Sequence, residues 1–321
     1  MNIGILGAGH IAEKMSDTIN KMKNVSLYAV ASRTTEKAKQ FAEKFSIPNY
    51  YGSYEQLVQD KNIDLVYIAT PHSRHYEDCM LCLENGKNIL CEKAFTANAK
   101  QAKEVLDYAK EHNLFVSEAI WTRFMPMRFK LDEIIKSGAI GKITSLTANI
   151  GYNLSQKERV QKLELAGGAL LDIGIYTINF ALMTFGNDIA DIKSSCVKNK
   201  YGVDIIDNII ITFKDGKTAL LYSNATADTD GLGVIYGTKG KIEFYNINNC
   251  EGIKVILNDG AINNYDTPKQ ISGYEYEVEA CVNAIKKGKN ETGFMPHNET
   301  VYVMEIMDRL REEWGIKYPF E

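Results

Sequence analysis

The fold is decided by the first stretch of the chain, Asn2-Ile-Gly-Ile-Leu-Gly-Ala-Gly-His-Ile-Ala12. It begins with an apolar run that is typical of a buried strand, and a helical spacing of apolar residues starts directly after the glycines. Between them, Gly7-Ala-Gly9-His-Ile-Ala12 has the form Gly-x-Gly-x-x-Gly/Ala. A strand, this turn and a helix in that order predict the first βα unit of a dinucleotide-binding Rossmann domain.

Each residue of this turn has a physical reason in that interpretation. Gly7 permits the tight turn, Gly9 lets the backbone approach a pyrophosphate, and Ala12 lets the helix pack close to the strand. The amides of His10 and Ile11 are expected at the helix N-terminus, where the helix dipole favours an anion. The alternative is an ordinary strand–turn–helix that needs small residues only for packing.

Strand-like runs and helical patterns alternate outward from this stretch, which predicts βαβ units, a parallel sheet and a Rossmann domain over residues 1–118. The predicted strands are Asn2–Leu6, Val25–Ala31, Leu65–Ala69, Asn88–Cys91 and Leu114–Ser117. The predicted helices are Ile11–Met22, Thr35–Phe45, Tyr54–Gln59, His75–Glu84 and Asn98–His112.

Residues 119–321 have longer strands that alternate in polarity, which predicts an α+β domain on a large, mostly antiparallel open sheet. The predicted strands are Ile143–Asn153, Ile189–Lys198, Asp207–Phe213, Lys217–Asn224, Gly233–Gly237, Lys241–Tyr245 and Lys254–Leu257. The predicted helices are Met127–Ser137, Gly168–Thr184, Tyr274–Lys286 and His297–Glu313, and the last may pack back on the first domain. Few helices accompany many strands, so one face of the sheet is expected to be open and to form an interface.

Composition narrows the partners of the protein. The formal net charge of −4 and the pI of about 5.9 do not favour a nucleic acid or an anionic membrane. No apolar run approaches the roughly 20 residues that span a bilayer, and no secretory leader is evident at the start. We therefore expect a cytoplasmic protein with neither a nucleic-acid nor a membrane partner.

The six cysteines are scattered along the chain, which does not indicate a disulfide framework. Cys79 and Cys82 form a Cys-x-x-Cys pair inside an amphipathic helical pattern, so structural buried thiols are favoured over redox or metal chemistry. No cluster of His, Cys and Glu has metal-ligand spacing, and no metal is expected.

The end of the second predicted strand, Ala29-Val-Ala-Ser-Arg-Thr34, bears on the choice of cofactor. A site that prefers NAD usually has Asp or Glu here to bind the ribose hydroxyls. This chain has Ser32 and Arg33 instead, and an arginine can pair with the 2′-phosphate of NADP. The pattern favours NADP, with NAD possible; the alternative is that Arg33 is only a solvated residue that starts the next helix.

Three further segments are Cys91-Glu-Lys-Ala94, Glu118-Ala-Ile-Trp-Thr-Arg-Phe124 and Gly167-Gly-Ala-Leu-Leu-Asp-Ile-Gly-Ile-Tyr176. Together they resemble the Gfo/Idh/MocA oxidoreductases, and within them the branch of dimeric dihydrodiol dehydrogenases and D-xylose dehydrogenases. The resemblance extends over essentially the whole chain. It implies an NAD(P)-dependent dehydrogenase or reductase that acts on a sugar, a cyclic polyol or a trans-dihydrodiol.

The resemblance implies that Lys93 and Tyr176 are catalytic and bind substrate, with Asp172 orienting the substrate or the lysine. A cation at the end of a parallel strand can polarise a carbonyl, and a phenol beside it can act as general acid–base. Asp172 lies four residues before Tyr176 and Asn179 three after, which puts them on one helix face. The alternatives are a surface lysine and a core tyrosine. Ala94 replaces the usual proline of the family, which puts the geometry at Lys93 in question.

The resemblance also implies further binding residues, for which structural roles are the alternative. Those expected to bind the cofactor, in addition to Lys93 and the residues of the glycine turn and second strand, are Thr70, Pro71, His72, His75, Glu92, Trp121 and Arg123. Trp121 and Phe124 are also expected to form an aromatic wall for the substrate. Arg159 or Lys162 could reach substrate hydroxyls, although solvated charges are the more usual case.

Two consequences concern the whole protein. The resemblance implies pairing through the open sheet, hence a homodimer or a dimer of dimers. The alternative to an enzyme is a non-catalytic NADP-sensing regulatory protein of the same fold, and the presence of both Lys93 and Tyr176 favours the enzyme.

Overall fold

The chain divides into two compact units in the computed structural model, which describes all residues from 1 to 321. The first unit comprises Met1–Trp121 and Gln270–Glu305. The second comprises Thr122–Lys269 and Ile306–Glu321. The predicted fold class, a Rossmann domain followed by an α+β domain on a large open sheet, is confirmed by the two sheets described below.

The first unit contains a six-stranded parallel sheet in the order β3-β2-β1-β4-β5-β6. Its strands are β1 (Asn2–Leu6), β2 (Ser26–Ala31), β3 (Asn49–Tyr51), β4 (Leu65–Ile68), β5 (Asn88–Glu92) and β6 (Val116–Ala119). Its helices before the sixth strand are α1 (His10–Ile19), α2 (Thr35–Phe45), α3 (Tyr54–Val58), α4 (His72–Glu84) and α5 (Ala99–Glu111). Strand β3 was not predicted, because three residues are too few to show a period. Helix α4 begins at His72, three residues earlier than predicted, directly after Pro71.

The order of these strands determines where a ligand can bind. The chain runs outward from β1 through β2 to β3 and then crosses to β4 on the other side of β1. Ligands of open parallel sheets bind outside the carboxyl ends of the strands at this change of direction. The residues directly after β1 and β4 therefore flank the expected crevice.

The second unit contains an eight-stranded sheet in the order β14-β13-β12-β11-β7-β10-β9-β8. Its strands are β7 (Ile143–Gly151), β8 (Ile189–Lys198), β9 (Asp204–Phe213), β10 (Thr218–Asn224), β11 (Gly233–Gly237), β12 (Gly240–Tyr245), β13 (Gly252–Leu257) and β14 (Ile262–Asp266). All neighbours are antiparallel except β7 and β10. The edge strand β14 was not predicted, because its Asn-rich sequence is mostly exposed and has no buried face.

The remaining helices are α6 (Pro126–Lys136), α7 (Glu158–Gln161), α8 (Ile175–Phe185), α9 (Glu275–Lys286) and α10 (His297–Glu313). The stretch Leu163–Phe185 is long and apolar enough to cross a membrane by length and composition, contrary to expectation. Asp172 lies inside this stretch, so the sequence shows no uninterrupted apolar run of that length there. Its most apolar window is 94% buried inside the protein, as is usual for the core helix of a globular fold.

The predicted Cys-x-x-Cys pair lies on α4. Cys79 and Cys82 are both fully buried, and burial raises the pKa of the Cys82 thiol well above its usual range. A thiol held in its protonated form is a poor nucleophile and a poor metal ligand. Their burial supports the interpretation of these residues as structural thiols.

Candidate cofactor and active site

The turn after β1 adopts the conformation that its glycines predict. Gly7 has a φ of +105°, and its amide donates to the carbonyl of Ala31 at 3.0 Å. A Cβ at this position would lie 2.8 Å from the carbonyl oxygen of Ala69. Only glycine fits this conformation and this contact together.

The N-terminus of α1 is open to a ligand. Gly9 is the N-cap residue, no side chain caps the helix, and a Cβ on Gly9 would meet no atom within 4 Å. The amides of His10 and Ile11 begin the helix, and the His10 side chain is exposed. Free first-turn amides beside open space fit a diphosphate group, so these residues suit the expected dinucleotide.

Ser32 and Arg33 lie between the end of β2 and the start of α2, at the same edge of the sheet. Ser32 is buried, and its amide donates to the carbonyl of Tyr51 at 3.2 Å. Arg33 is exposed. Burial raises the pKa of the nearby Tyr54 hydroxyl, and the positive charge of Arg33 partly opposes this rise. The exposed guanidinium is therefore available at the carboxyl end of β2.

The loop after β4 is fixed by Asp78, which the sequence did not single out. Thr70 Oγ1 donates to Asp78 Oδ2 at 2.7 Å, and Arg74 Nη2 donates to Asp78 Oδ1 at 3.0 Å. Burial raises the pKa of Asp78, partly opposed by these two donors. The hydroxyl of Thr70 is therefore hydrogen-bonded within the protein. Pro71 is exposed and is the N-cap residue of α4.

His72 and His75 hold the backbone around the predicted catalytic lysine. The fully buried ring of His75 has Nδ1 2.8 Å from the Ala94 carbonyl and Nε2 2.8 Å from the Thr70 carbonyl. Burial lowers the pKa of His75. His72 Nε2 lies 3.1 Å from the carbonyl oxygen of Lys93. Both rings therefore tie α4 to the chain that follows β5.

Lys93 follows directly on β5 and is half-buried, and its peptide bond to Ala94 is cis. The preceding Glu92 is buried and accepts a hydrogen bond from the hydroxyl of Tyr67 on β4. Burial, reinforced by the charge of Glu92, raises the pKa of Tyr67 well above its usual range. Glu92 is thus anchored to the neighbouring strand, and Lys93 stands at its carboxyl end.

Trp121 also belongs to the first unit. Its indole stacks on the ring of Tyr274, with centroids 4.1 Å apart and an angle of 10° between the planes. Tyr274 is the N-cap residue of α9, more than 150 positions further along the chain, which is why local sequence patterns could not reveal the pair.

Tyr176 lies at the start of α8 in the second unit, directly after a π-helical turn over Leu170–Gly174. Within that turn, Asp172 is buried and pairs with Arg159. One turn after Tyr176, Asn179 Oδ1 accepts from Arg123 Nε at 2.6 Å. Arg123 is thereby tied to this helix.

The remaining predicted residues of the second unit have different surroundings. Phe124 is buried close to Arg123 in the chain. Lys162 pairs with Glu158, within one helical turn, whereas Arg159 is the cation that reaches Asp172. The structure therefore gathers Arg123, Arg159 and Asp172 around the helix that carries Tyr176.

The chain is similar to known oxidoreductases over both of its units. The oxidoreductase family with an NAD-binding Rossmann fold, named GFO_IDH_MocA, matches residues 1–120, and the GFO/IDH/MocA C-terminal domain matches residues 129–243. The trans-1,2-dihydrobenzene-1,2-diol dehydrogenase of Xenopus tropicalis is 33% identical, with 98% of each chain covered. The D-xylose 1-dehydrogenase (NADP(+)) of Hypocrea jecorina is 30% identical, covering 98% of this chain and 92% of that protein.

Solved structures support the fold. A 3-ketoreductase from Actinomadura kijaniata in complex with NADP and TDP-benzene superposes with a TM-score of 0.89 at 22% identity, covering 97% of both chains. A levoglucosan dehydrogenase in complex with NADH and levoglucosan gives a TM-score of 0.86 at 21% identity, covering 98% of this chain and 97% of the other.

Changing the two glycines of the turn to alanine is predicted to have different effects: one on stability and the other on NADP binding. Gly7→Ala should lower the free energy of unfolding by about 1–3 kcal/mol, because it strains φ and meets the Ala69 carbonyl. Gly9→Ala should change it by less than about 1 kcal/mol, because no atom lies near its Cβ. It should instead weaken NADP binding, measured by titration calorimetry, by narrowing the phosphate approach.

Urea denaturation of both variants provides the comparison. Equal stability of Gly7→Ala and the wild type would contradict the proposed constraint at Gly7. Unchanged NADP affinity in Gly9→Ala would contradict phosphate binding at α1.

Proposed function

Because this chain belongs to the Gfo/Idh/MocA family of oxidoreductases, and is an NAD(P)-dependent enzyme of that family, we propose that it oxidises a CH–OH group or reduces the corresponding carbonyl with Lys93 and Tyr176 as its reactive pair. The observation that carries the proposal is the open, uncapped N-terminus of α1 at the same sheet edge as Lys93. A nicotinamide dinucleotide bound there would donate or accept the hydride.

The two side chains divide the remaining chemistry between them. The Lys93 ammonium holds the substrate oxygen by hydrogen bonds and stabilises the negative charge that develops on it. The Tyr176 side chain exchanges a proton with the same oxygen: as a phenolate it takes the proton from the alcohol during oxidation, and as a phenol it returns the proton during reduction. Asp172, which Arg159 already holds, orients the substrate or the lysine.

The substrate is proposed to be a sugar, a cyclic polyol or a trans-dihydrodiol. The relatives named above are dehydrogenases of a dihydrodiol and of D-xylose, which are small polyhydroxylated molecules. The stacked rings of Trp121 and Tyr274 form a rigid apolar surface of the kind on which the CH face of such a ring can lie. The similarity to these dehydrogenases also favours an enzyme over a regulatory protein that only senses the cofactor.

NADP is the proposed cofactor in preference to NAD. Arg33 is exposed at the carboxyl end of β2, where an NAD site would usually have a carboxylate. Its guanidinium can pair with a 2′-phosphate through charge-assisted hydrogen bonds.

We also propose a cytoplasmic setting, since all six cysteines are free thiols.

The second unit is the proposed site of homodimer formation. Ile210 on β9 and Leu220 on β10 are direct cross-strand neighbours and are 45% and 46% exposed. Apolar neighbours at the middle of a sheet face are uncommon on monomers and mark interfaces. We propose that a second copy covers this face.

The proposed reactive pair predicts large losses of turnover. Lys93→Met and Tyr176→Phe should each lower kcat by at least about a hundredfold, because each removes a group that acts on the reacting oxygen. Lys100→Met and Tyr201→Phe are matched controls, since both residues are exposed, and should leave kcat unchanged. Steady-state kinetics with NADP and a panel of aldoses, cyclitols and dihydrodiols measures the effect, and near-normal rates in both test variants would remove the mechanism.

The assignment of NADP predicts a selective effect at Arg33. Arg33→Ala should raise KM for NADP by about tenfold or more while leaving KM for NAD unchanged, because only NADP carries the 2′-phosphate. Lys39→Ala removes the same charge from the exposed face of α2 and serves as the control. A cofactor ratio that does not change in Arg33→Ala would rule out the assignment.

The dimer proposal predicts a change of mass in solution. The wild type should scatter light as a species of at least twice the 36.0 kDa chain mass. The double variant Ile210→Glu, Leu220→Glu should be monomeric, because dimerisation would bury four carboxylates. Ile262→Glu, on the exposed edge strand β14, is the control and should remain dimeric. A monomeric wild type at micromolar concentration would contradict the proposal.

A further inference from the structure

Two buried carboxyl groups, Asp204 and Asp207, lie near the start of β9 and are both fully inaccessible to solvent. Residues three apart on a regular strand point to opposite faces. Here the pairing with β8 joins Val197 to Ile206 and Lys198 to Asp204, so Ile205 has no partner. This bulge brings Asp204 to the same inner face as Asp207.

Asp204 binds the start of the helix that carries Tyr176. Its Oδ2 accepts from the amide of Leu170 at 2.6 Å, and the amide of Ala169 also donates to this carboxyl group. A Cβ on Gly168, whose φ is +125°, would lie 2.3 Å from Asp204 Oδ1, so the chain can approach only because glycine stands there. A carboxylate from a neighbouring strand thus caps first-turn amides that would otherwise lack an acceptor.

Asp207 lies beside the end of the same π-helical turn. Its Oδ2 accepts from the Ser223 hydroxyl at 2.7 Å and lies 3.4 Å from where a Cβ of Gly174 would be. Gly174 is two residues before Tyr176. The pair of carboxyl groups therefore binds the beginning of the turn Leu170–Gly174 and lies close to its end.

The two carboxyl groups need a proton between them. Oδ1 of each is buried and accepts from no other group, and the two neighbouring carboxyl groups can hydrogen-bond to each other only if one of them is protonated. Two adjacent buried carboxylates cannot both be charged, and one shared proton satisfies both oxygens. Burial, followed by the charge of Asp204, raises the pKa of Asp207 well above its usual range. Asp207 therefore carries the proton and donates it to Asp204.

The titratable groups that face this pair come from two other parts of the unit. Cys196 on β8 has its pKa raised to about 11, mainly by burial and then by the two aspartates. Tyr318 donates its hydroxyl to the Gly167 carbonyl at 2.9 Å, and burial and the charge of Asp204 raise its pKa. The guanidinium of Arg311 lies 4.4 Å from the centre of the Tyr318 ring. Cys196 and Tyr318 therefore remain neutral at the pH at which Asp207 holds its proton.

We propose that Asp204 and Asp207, sharing one proton, are positioning residues that clamp the π-helical turn and so fix Tyr176 for proton exchange. This inference rests on the proposed role of Tyr176. The carboxylate of Asp204 holds the amides at the beginning of the turn, and the protonated Asp207, beside Gly174, keeps that carboxylate in place.

The test compares two substitutions that remove different parts of the clamp. Asp204→Ala removes the acceptor of the Leu170 amide. Asp207→Asn keeps a donor towards Asp204 and an acceptor for Ser223, so it imitates the protonated acid without titrating. Asp191→Asn, at an exposed site on β8, is the matched control.

Hydrogen–deuterium exchange of residues 167–176 in the full chain, without cofactor or substrate, reports on the clamp itself. Asp204→Ala should speed exchange at Ala169 and Leu170 by about tenfold or more, as expected for a lost bond to a charged acceptor. It should also lower kcat at least tenfold with little change in KM for NADP. Asp207→Asn should keep wild-type exchange and kcat within about twofold.

Urea denaturation between about pH 5 and 8 tests the shared proton. The pKa of Asp207 is raised in the folded state, so folding takes up a proton between the ordinary pKa of an aspartate and this raised value, and stability decreases as the pH rises through that interval. The wild type should lose stability with rising pH more steeply than Asp207→Asn, and Asp191→Asn should follow the wild type. Identical slopes in the wild type and Asp207→Asn would overturn the shared proton, even if Asp204→Ala does not fold.

The outcomes separate this inference from the proposed function. Wild-type exchange in Asp204→Ala, or rapid exchange in Asp207→Asn, would overturn the clamp whatever the kinetics show. Faster exchange with unchanged kcat in Asp204→Ala, while Tyr176→Phe is inactive, would overturn the positioning role. Full activity of Tyr176→Phe would instead remove the catalytic role of the tyrosine, and exchange would still decide whether the clamp exists.

Discussion

The carboxyl edge of the parallel sheet depends on one close contact, between Gly7 and the carbonyl of Ala69. The positive φ of Gly7 turns the chain from β1 into α1, and the missing Cβ lets β1 and β4 end side by side. These two strands flank the point at which the order of the sheet reverses. A side chain at position 7 would separate them and would redirect the first amides of α1. The direction of the helix dipole, and with it the place of an anionic ligand, therefore follows from one residue.

The two units treat a helix N-terminus in opposite ways. In the first unit the start of α1 has no side-chain cap, which leaves its amides open to an anionic ligand. In the second unit the amides before Tyr176 are occupied by Asp204 from a neighbouring strand. An uncapped terminus suits a site that must bind and release an anion. A capped terminus suits a helix whose first turn must remain fixed for the proton exchange proposed for Tyr176.

Much of the fold could be predicted from the sequence because it depends on local periodicity. The bounds of β1, α2, β8 and α10 were predicted to the residue. The glycine turn and the residues after β4 and β5 could likewise be placed at one sheet edge, because parallel strands share their direction. The family was recognisable from three segments because they occur together, and both domain matches agree.

What could not be predicted depends on contacts between distant parts of the chain. The parallel pairing of β7 with β10 joins residues about 70 positions apart in an otherwise antiparallel sheet. The hydrogen bond from Arg123 Nε to Asn179 Oδ1 joins residues 56 positions apart and requires the helix to be in place. Asp204 fell outside the predicted strand Asp207–Phe213, because a bulge interrupts the alternation on which that prediction relied.

The most direct measurement is a crystal structure of the protein with bound NADP. The account predicts diphosphate oxygens within about 3 Å of the amides of His10 and Ile11, with the nicotinamide ring beside the ammonium of Lys93. A diphosphate bound away from the start of α1, or a nicotinamide ring that points away from Lys93, would contradict it.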